Sequence, residues 1–454
     1  MKTIAAISTP LGVGGVGVIR VSGSDSFEIV EKIFKPFDKK CKLSQINGYT
    51  AKYGEIIENK MVIDEAVVLI FKAPRSYTGE NVVEISCHGG LYLTKKILRL
   101  VLEAGAILAS AGEFTKRAFL NGKISLHQAE AVMDLISSSN ERTNKYAISL
   151  KKGATDEKIN KLKNNILNLL AQINVWIDYS DEEFAMVESD ALEIFVSKIK
   201  SDIKNLIKNY DIAKIIKNGI KVAIIGAPNV GKSTFMNYLI GYEKSIVTEI
   251  AGTTRDVVEE SCYLGDILLS VSDTAGIHDT NDFIEKIGIE KAKSCLEVSD
   301  ILFFVVDGSK SISANEKIFL SSLDKKKLIL LLNKSDLPQK VKKSDLVGLA
   351  QKIVSISAKK KSGREELEKA VYDILGLFKA DVSEEIISNE RQYDVLNRAI
   401  RAIDETKNAM SSGAPLDAIS VLMQEVLQIF LELTGENASD TVIDKIFSNF
   451  CVGK

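Results

Sequence analysis

Histidine is scarce in this chain: three among 454 residues. That leaves little room for a histidine-based metal centre. The five cysteines (Cys41, Cys87, Cys262, Cys295 and Cys451) are an odd, scattered set with no CxxC pair. Such spacing argues against a zinc site or a disulfide framework and suits a reducing cytosol. No apolar run approaches the roughly 20 residues of a membrane span; Ile301 to Val306 is among the longest. The opening residues include Lys2, Thr3, Ser8 and Pro10, not the unbroken apolar segment of a signal peptide. The expected location is therefore cytoplasmic, with no membrane partner. Net charge is also small, −2 from 59 basic and 61 acidic residues. That excludes a polycation that wraps nucleic acid by bulk charge, though not a local basic groove. Aromatics are 7%, with Trp176 the one tryptophan, which leans toward helical and α/β architecture.

What is present is ordinary globular composition, 45% hydrophobic and 26% charged. At roughly 100–200 residues per domain, about two to four domains are expected. Residues 1–120 read as an α+β domain. Its strands are Ile4–Ser8, Val16–Ser22, Tyr49–Ile57, Val62–Phe71 and Val82–Ser86, followed by a helix over Gly89–Glu103. Residues 121–215 contain no proline. Ile159, Leu162, Ile166, Leu169, Ile173 and Trp176 fall at helical steps. A second helix covers Ala191–Ile207, and a helix break is expected at Asp178–Glu183. Residues 216–378 alternate strands and helices. Lys221–Ile225, Leu268–Ser272, Ile301–Val306, Leu328–Leu332 and Ile353–Ile356 read as strands, several apolar on both faces, as in a covered parallel sheet. Residues 379–454 return to helix, with one stripe through Leu416, Ile419, Leu422, Val426, Ile429 and Leu433. The simplest packing sets this tail against the first helical zone, with the α/β unit inserted between.

Gly226-Ala227-Pro228-Asn229-Val230-Gly231-Lys232-Ser233 has the spacing of a phosphate loop, between an expected strand and an expected helix. Its glycines let backbone amides approach phosphate oxygens. Lys232 suits the β/γ-phosphates, and the Ser233 hydroxyl suits magnesium. Asp273-Thr274-Ala275-Gly276 follows a strand; its Asp can hold magnesium through water, and the Gly276 amide can meet the γ-phosphate. Asn333-Lys334-Ser335-Asp336 follows another strand. The Asp336 carboxylate can accept from N1–H and the 2-amino group of guanine, which adenine does not offer. Ser357-Ala358-Lys359 supplies a backbone amide for the guanine carbonyl. These elements, in this order, resemble a GTPase of the translation-factor class. Ile277 stands where Ras-like enzymes place a water-orienting Gln, and an apolar side chain cannot orient water. Glu285 is the candidate to position that water, and Asn229 is a candidate ion ligand. Between the motifs, Thr248, Glu249, Ile250, Ala251, Gly252, Thr253 and Thr254 read as a switch that orders around the γ-phosphate. Thr254 is a plausible second magnesium ligand beside Ser233. Val230 and Thr234 complete the expected GTP contacts. A potassium ion near the γ-phosphate would take oxygen ligands from Asn229, Thr248, Ile250 and Thr253.

Further segments carry a resemblance over the whole chain. They are Thr3 to Ala6, Gly14 to Arg20, Tyr77-Thr78-Gly79-Glu80, Cys87-His88-Gly89-Gly90, Gly112 to Lys123, Thr253-Thr254-Arg255-Asp256 and the terminal Cys451-Val452-Gly453-Lys454. With the G motifs, the chain resembles the MnmE (TrmE) family of tRNA modification GTPases. The resemblance implies a folate-binding-like N-terminal domain that forms a constitutive homodimer, a discontinuous helical domain, and an inserted Ras-like P-loop G domain. It implies a tetrahydrofolate derivative, 5-formyl or 5,10-methylene, bound by Arg20, Glu84, Lys123 and Lys454. It also implies a flavin-dependent partner of the MnmG type in a heterotetramer, with tRNA as substrate. The chemistry would add a carboxymethylaminomethyl or aminomethyl group to C5 of the wobble uridine, with Cys451 taking part. Two other readings stay open at this point: a ribosome-assembly GTPase that binds rRNA, and a GTP-regulated folate enzyme with no RNA partner.

Overall fold

A computed structural model describes residues 1–38, 42–138, 140–178, 189–241, 259–272, 299–323, 327–377, 387, 389–437, 439–448 and 450–453. They form two compact units. One comprises residues 1–137, 147–203 and 394–454; the other comprises 138–146 and 204–393.

The first unit contains a seven-stranded sheet: β1 (Ile4–Ile7), β2 (Val16–Ser22), β3 (Phe34–Pro36), β4 (Thr50–Glu58), β5 (Met61–Phe71), β6 (Val82–His88) and β7 (Ile107–Leu108). The order is β3-β4-β5-β6-β2-β1-β7. Only β1 and β7 pair in parallel; the other neighbours are antiparallel. Alternation along each strand decides which face is core. Ile19 and Val21 of β2 and Val83 and Ile85 of β6 are fully buried. Helix Leu91–Glu103 covers them with Ile97, Leu100 and Val101, spaced for one helical face. Arg20 and Glu84, between those apolar residues, are paired in register and point to the opposite face.

The same unit holds the long helix Ala154–Asp178, which buries Ile159, Leu162, Ile166, Leu169 and Ile173. Beside it lies Leu416–Thr434, which buries Ile419, Met423, Val426, Ile429, Phe430 and Leu433. A fully buried side chain of this kind contributes about 1.5–3 kcal/mol, so the paired stripes hold the two helices together. The Ser420 hydroxyl donates to Asn174 Oδ1 at 3.1 Å, and Lys163 pairs with Glu436. The first long helix ends at Asp178; the rest of the expected break lies outside the described residues. Helix Asp440–Ser448 and the tail then return to the N-terminal residues. Phe447 and Phe450 pack against Leu126 and Ala129.

The second unit is built on a six-stranded sheet: β8 (Ile220–Gly226), β9 (Glu259–Leu264), β10 (Ile267–Ser272), β11 (Ile301–Asp307), β12 (Leu328–Asn333) and β13 (Lys352–Ser355). The order is β13-β12-β11-β8-β10-β9. The five strands expected from sequence are parallel. The sixth, β9, is an antiparallel edge. Only Gly265 and Asp266 separate it from β10, and so short a connection permits no parallel crossover. Every residue of β11 and β12 is buried. Helices Lys232–Ile240 and Arg364–Ile374 supply Phe235, Leu239, Leu367 and Val371 to one core. Helix Ala314–Ser322 supplies Leu320 to the other. Four parallel strands therefore end at one edge, at Gly226, Asp307, Asn333 and Ser355, where ligands of such sheets bind. Among the described residues, no helix is long and apolar enough to cross a membrane.

Candidate functional site

The phosphate loop runs from the end of β8 into helix Lys232–Ile240. Gly231 has φ +98°, and a Cβ there would lie 2.5 Å from Asn333 Nδ2. The position therefore admits only glycine. Unpaired amides at the start of a helix favour an anion. The Lys232 ammonium donates to the carbonyls of Gly226 at 3.0 Å and Ala227 at 2.9 Å. That keeps a cation at the rim of the loop. Val230 is buried, while Asn229, Ser233 and Thr234 are exposed. The donor set fits a polyphosphate, and the Ser233 hydroxyl fits magnesium.

At the end of β12, Asn333 is buried. Its Nδ2 donates to the Val230 carbonyl at 2.9 Å, and its Oδ1 accepts from the Ala358 amide at 3.1 Å. One side chain thus joins the phosphate loop to the loop of Ser357, Ala358 and Lys359. Asp336 is exposed, and its Oδ1 accepts from the Ser357 hydroxyl at 2.5 Å. That hydroxyl, against the opposing effect of burial and with help from the backbone and Lys359 and Lys360, holds the Asp336 carboxyl below the ordinary 3.8. It is ionised at neutral pH, the state that accepts two donors from guanine.

Sequence reasoning passed over Asp307. It closes β11, is buried, and accepts from Lys334 Nζ at 2.6 Å through Oδ2. Oδ1 accepts from the Ser309 amide at 3.0 Å and hydroxyl at 2.6 Å. Burial by itself would raise this carboxyl, but Lys334 and Ser309 outweigh it and keep it below 3.8. The available signal was an acid closing a wholly apolar strand. Thr248, Glu249, Ile250, Ala251, Gly252, Thr253, Thr254, Asp273, Thr274, Ala275, Gly276 and Glu285 lie outside the described residues. So does Lys454.

A second polar cluster lies on the sheet of the first unit. Arg20 Nε and Nη2 both meet Glu84 Oε1 at 2.8 Å. The guanidinium carbon sits 5.8 Å from the Tyr77 ring centroid and 5.6 Å from that of Phe114, close enough for cation–π attraction. The tail reaches the same spot. The Gly453 carbonyl accepts from Arg20 Nη1 at 3.3 Å and from the Ser8 hydroxyl at 3.2 Å. Val452 bridges to Ala111, and Cys451 is exposed. Lys123 Nζ donates to the Pro74 carbonyl at 3.0 Å, at the start of the loop that carries Tyr77. Arg20, Glu84 and Gly453 are brought together directly; the Lys123 ammonium bonds to Pro74 instead. Tyr77, Phe114 and Thr115, whose hydroxyl lies 2.9 Å from that of Tyr77, fall in two of the segments that carry the family resemblance but were not among the expected site residues. Such a mix of Arg, carboxylate and rings fits a flat, partly anionic ligand.

Two family signatures match: "GTP-binding protein TrmE N-terminus" over residues 3–123 and "MnmE helical domain" over residues 126–451. The tRNA modification GTPase MnmE of Carboxydothermus hydrogenoformans is 42% identical over 458 residues, covering 100% of this chain and 99% of that protein. The protein of the same name from Thermoanaerobacter pseudethanolicus is 41% identical over 459 residues, with 100% and 99% covered. Among solved structures, the G domain of the T. maritima iron transporter FeoB matches at 23% identity. It covers 34% of this chain and 98% of that one, with a TM-score of 0.26, too loose a likeness to define a fold.

Proposed function

The chain belongs to the MnmE family of tRNA modification GTPases, and from that premise we propose that it binds and hydrolyses GTP in the service of tRNA modification. One observation carries the reading. Asn333 ties the phosphate loop to the Ser357–Lys359 loop, with the ionised Asp336 carboxylate held beside them by Ser357. In this reading, loop amides and Lys232 orient the phosphates, Ser233 faces magnesium, and Asp336 selects guanine over adenine. Asp273, Thr274, Ala275, Gly276 and Thr254 complete the γ-phosphate side. With Ile277 in place of the usual Gln, water positioning falls to Glu285. Charge neutralisation falls to a potassium ion held by oxygens of Asn229, Thr248, Ile250 and Thr253.

The finer chemistry follows the family. Residues 1–120 form a folate-binding, dimer-forming domain, residues 121–215 and 379–454 the helical domain, and residues 216–378 the G domain. Arg20, Glu84, Lys123 and Lys454 hold a tetrahydrofolate derivative. Both Arg20 contacts fall on Glu84 Oε1, and Oε2 suits a pterin amino group. A flavin-dependent MnmG-type subunit joins the homodimer in the cytoplasm, and the product is a wobble uridine extended at C5. Cys451 serves that chemistry rather than GTP hydrolysis. The rRNA-binding reading gains no specific observation. The test is turnover in potassium and in sodium at matched ionic strength, with Lys232→Ala as a control. Potassium should speed hydrolysis at least tenfold, and Lys232→Ala should remove it. Equal rates in the two salts would defeat the cation assignment, and an active Lys232→Ala would defeat the site.

A further inference from the structure

We propose that Asp307 is a positioning residue for guanine-nucleotide binding, acting through Lys334 to hold the phosphate loop and the guanine-reading loop in one geometry. The inference rests on the reading that this site binds GTP. Its starting point is a carboxylate that is 6% exposed. A buried charge persists only when paired and hydrogen-bonded. Both Asp307 oxygens are so engaged: Oδ2 by Lys334, Oδ1 twice by Ser309. Three protein donors therefore already occupy most of its acceptor sites.

Lys334 does more than neutralise it. The same Nζ donates to the Asn229 carbonyl in the phosphate loop at 3.1 Å. One ammonium thus spans the ends of β8, β11 and β12. Asn229 and Lys334 themselves sit at φ +62° and +64°. Side chains hold that backbone region only where their surroundings fix it. The Asp307 turn supplies the fixing. The Gly308 amide donates to the Asn333 carbonyl at 2.9 Å, and the Gly308 carbonyl accepts from the Lys340 amide at 2.8 Å. Gln339 Nε2 donates to the Lys334 carbonyl at 2.8 Å. Asp307 is the anionic anchor of this lattice. Asp307→Asn keeps the shape but removes the charge. Lys334, already a third exposed, is then free to turn toward water, and the Asn229 carbonyl loses its donor.

The test is a double-mutant cycle read by release of a fluorescent GDP analogue in stopped flow. The full chain is used as wild type, Asp307→Asn, Lys334→Met and the double variant. Asp307→Asn should release nucleotide about tenfold faster, the scale of one charge-assisted hydrogen bond. The double variant should release it within about twofold of Lys334→Met alone, because the residue acts only through that ammonium. A merely structural role would lower thermal stability and leave the two effects multiplicative, and multiplicative rates overturn the inference. Should Asp307→Asn fail to fold, Asp307→Ser takes its place in the same cycle under the same criterion. A wild-type chain that fails to bind the analogue overturns the GTP reading, and this inference with it. Wild-type binding with independent effects overturns the inference alone.

Discussion

Cys87, Cys262 and Cys451 are the same residue in different solvents, and their chemistry should differ accordingly. Burial pushes the thiols of Cys87 and Cys262 up to about 11, while Cys451 is exposed on the tail. At pH 8 a thiol of pKa 11 is only about 0.1% thiolate, and burial also shields it from reagent. Iodoacetamide should therefore modify Cys451 on the order of 100-fold faster than the two buried thiols, checked by peptide mass spectrometry. The sign also sets a stability trend. Raised folded values mean that the native state keeps protons the unfolded chain would release. Stability should fall as pH climbs from the unfolded thiol range, about 8.5, towards 11. Equal labelling of all three would contradict the burial. The placement of Gly231, Lys232, Ser233, Asn333 and Asp336 at and just beyond the ends of β8 and β12 was legible from spacing. A site role was not legible at Asp307, and the segments holding Tyr77 and Phe114 stood out without one, because a long-range partner leaves no local pattern.

Among elements, the apolar runs of β11 and β12 announced strands covered on both faces, and both are buried throughout. β9, with Glu-Glu-Ser-Cys-Tyr-Leu, carries no such run and was missed; an edge strand needs less apolar surface. The short helix Glu113–Leu120 was also missed. It buries only Phe114 and Ala118 as an apolar pair, and its Arg117 is buried against Glu80 and Glu113, so eight residues carry too short an apolar pattern to stand out. Tail docking was expected through Lys454, which lies outside the described residues; the docking described is at Gly453. Gly453 has φ +94°, and a Cβ there would lie 2.3 Å from the Ile7 carbonyl oxygen. Gly453→Ala should therefore free the tail. Hydrogen exchange should rise at the Gly112 amide, which donates to the Cys451 carbonyl, and along residues 451–453, with nucleotide affinity unchanged. Exchange equal to wild type would show that the tail is held by other means.

At the scale of the whole molecule, a P-loop sheet and a polar cluster around Arg20 occur in one chain, in separate compact units. The first suits GTP; the second, in our reading, suits the one-carbon donor. Neither alone would point to tRNA, and a plain GTPase or a folate enzyme would each need only one. Joining them in one function is the central claim, and it is tested most directly by mass spectrometry of tRNA nucleosides. The tRNA comes from cells lacking this gene, from the same cells given the wild-type chain, and from cells given Lys232→Ala. The account predicts that C5-extended wobble uridines vanish on deletion, return with the wild-type chain and stay absent with Lys232→Ala. Undiminished C5-extended uridines in the deletion strain would contradict it.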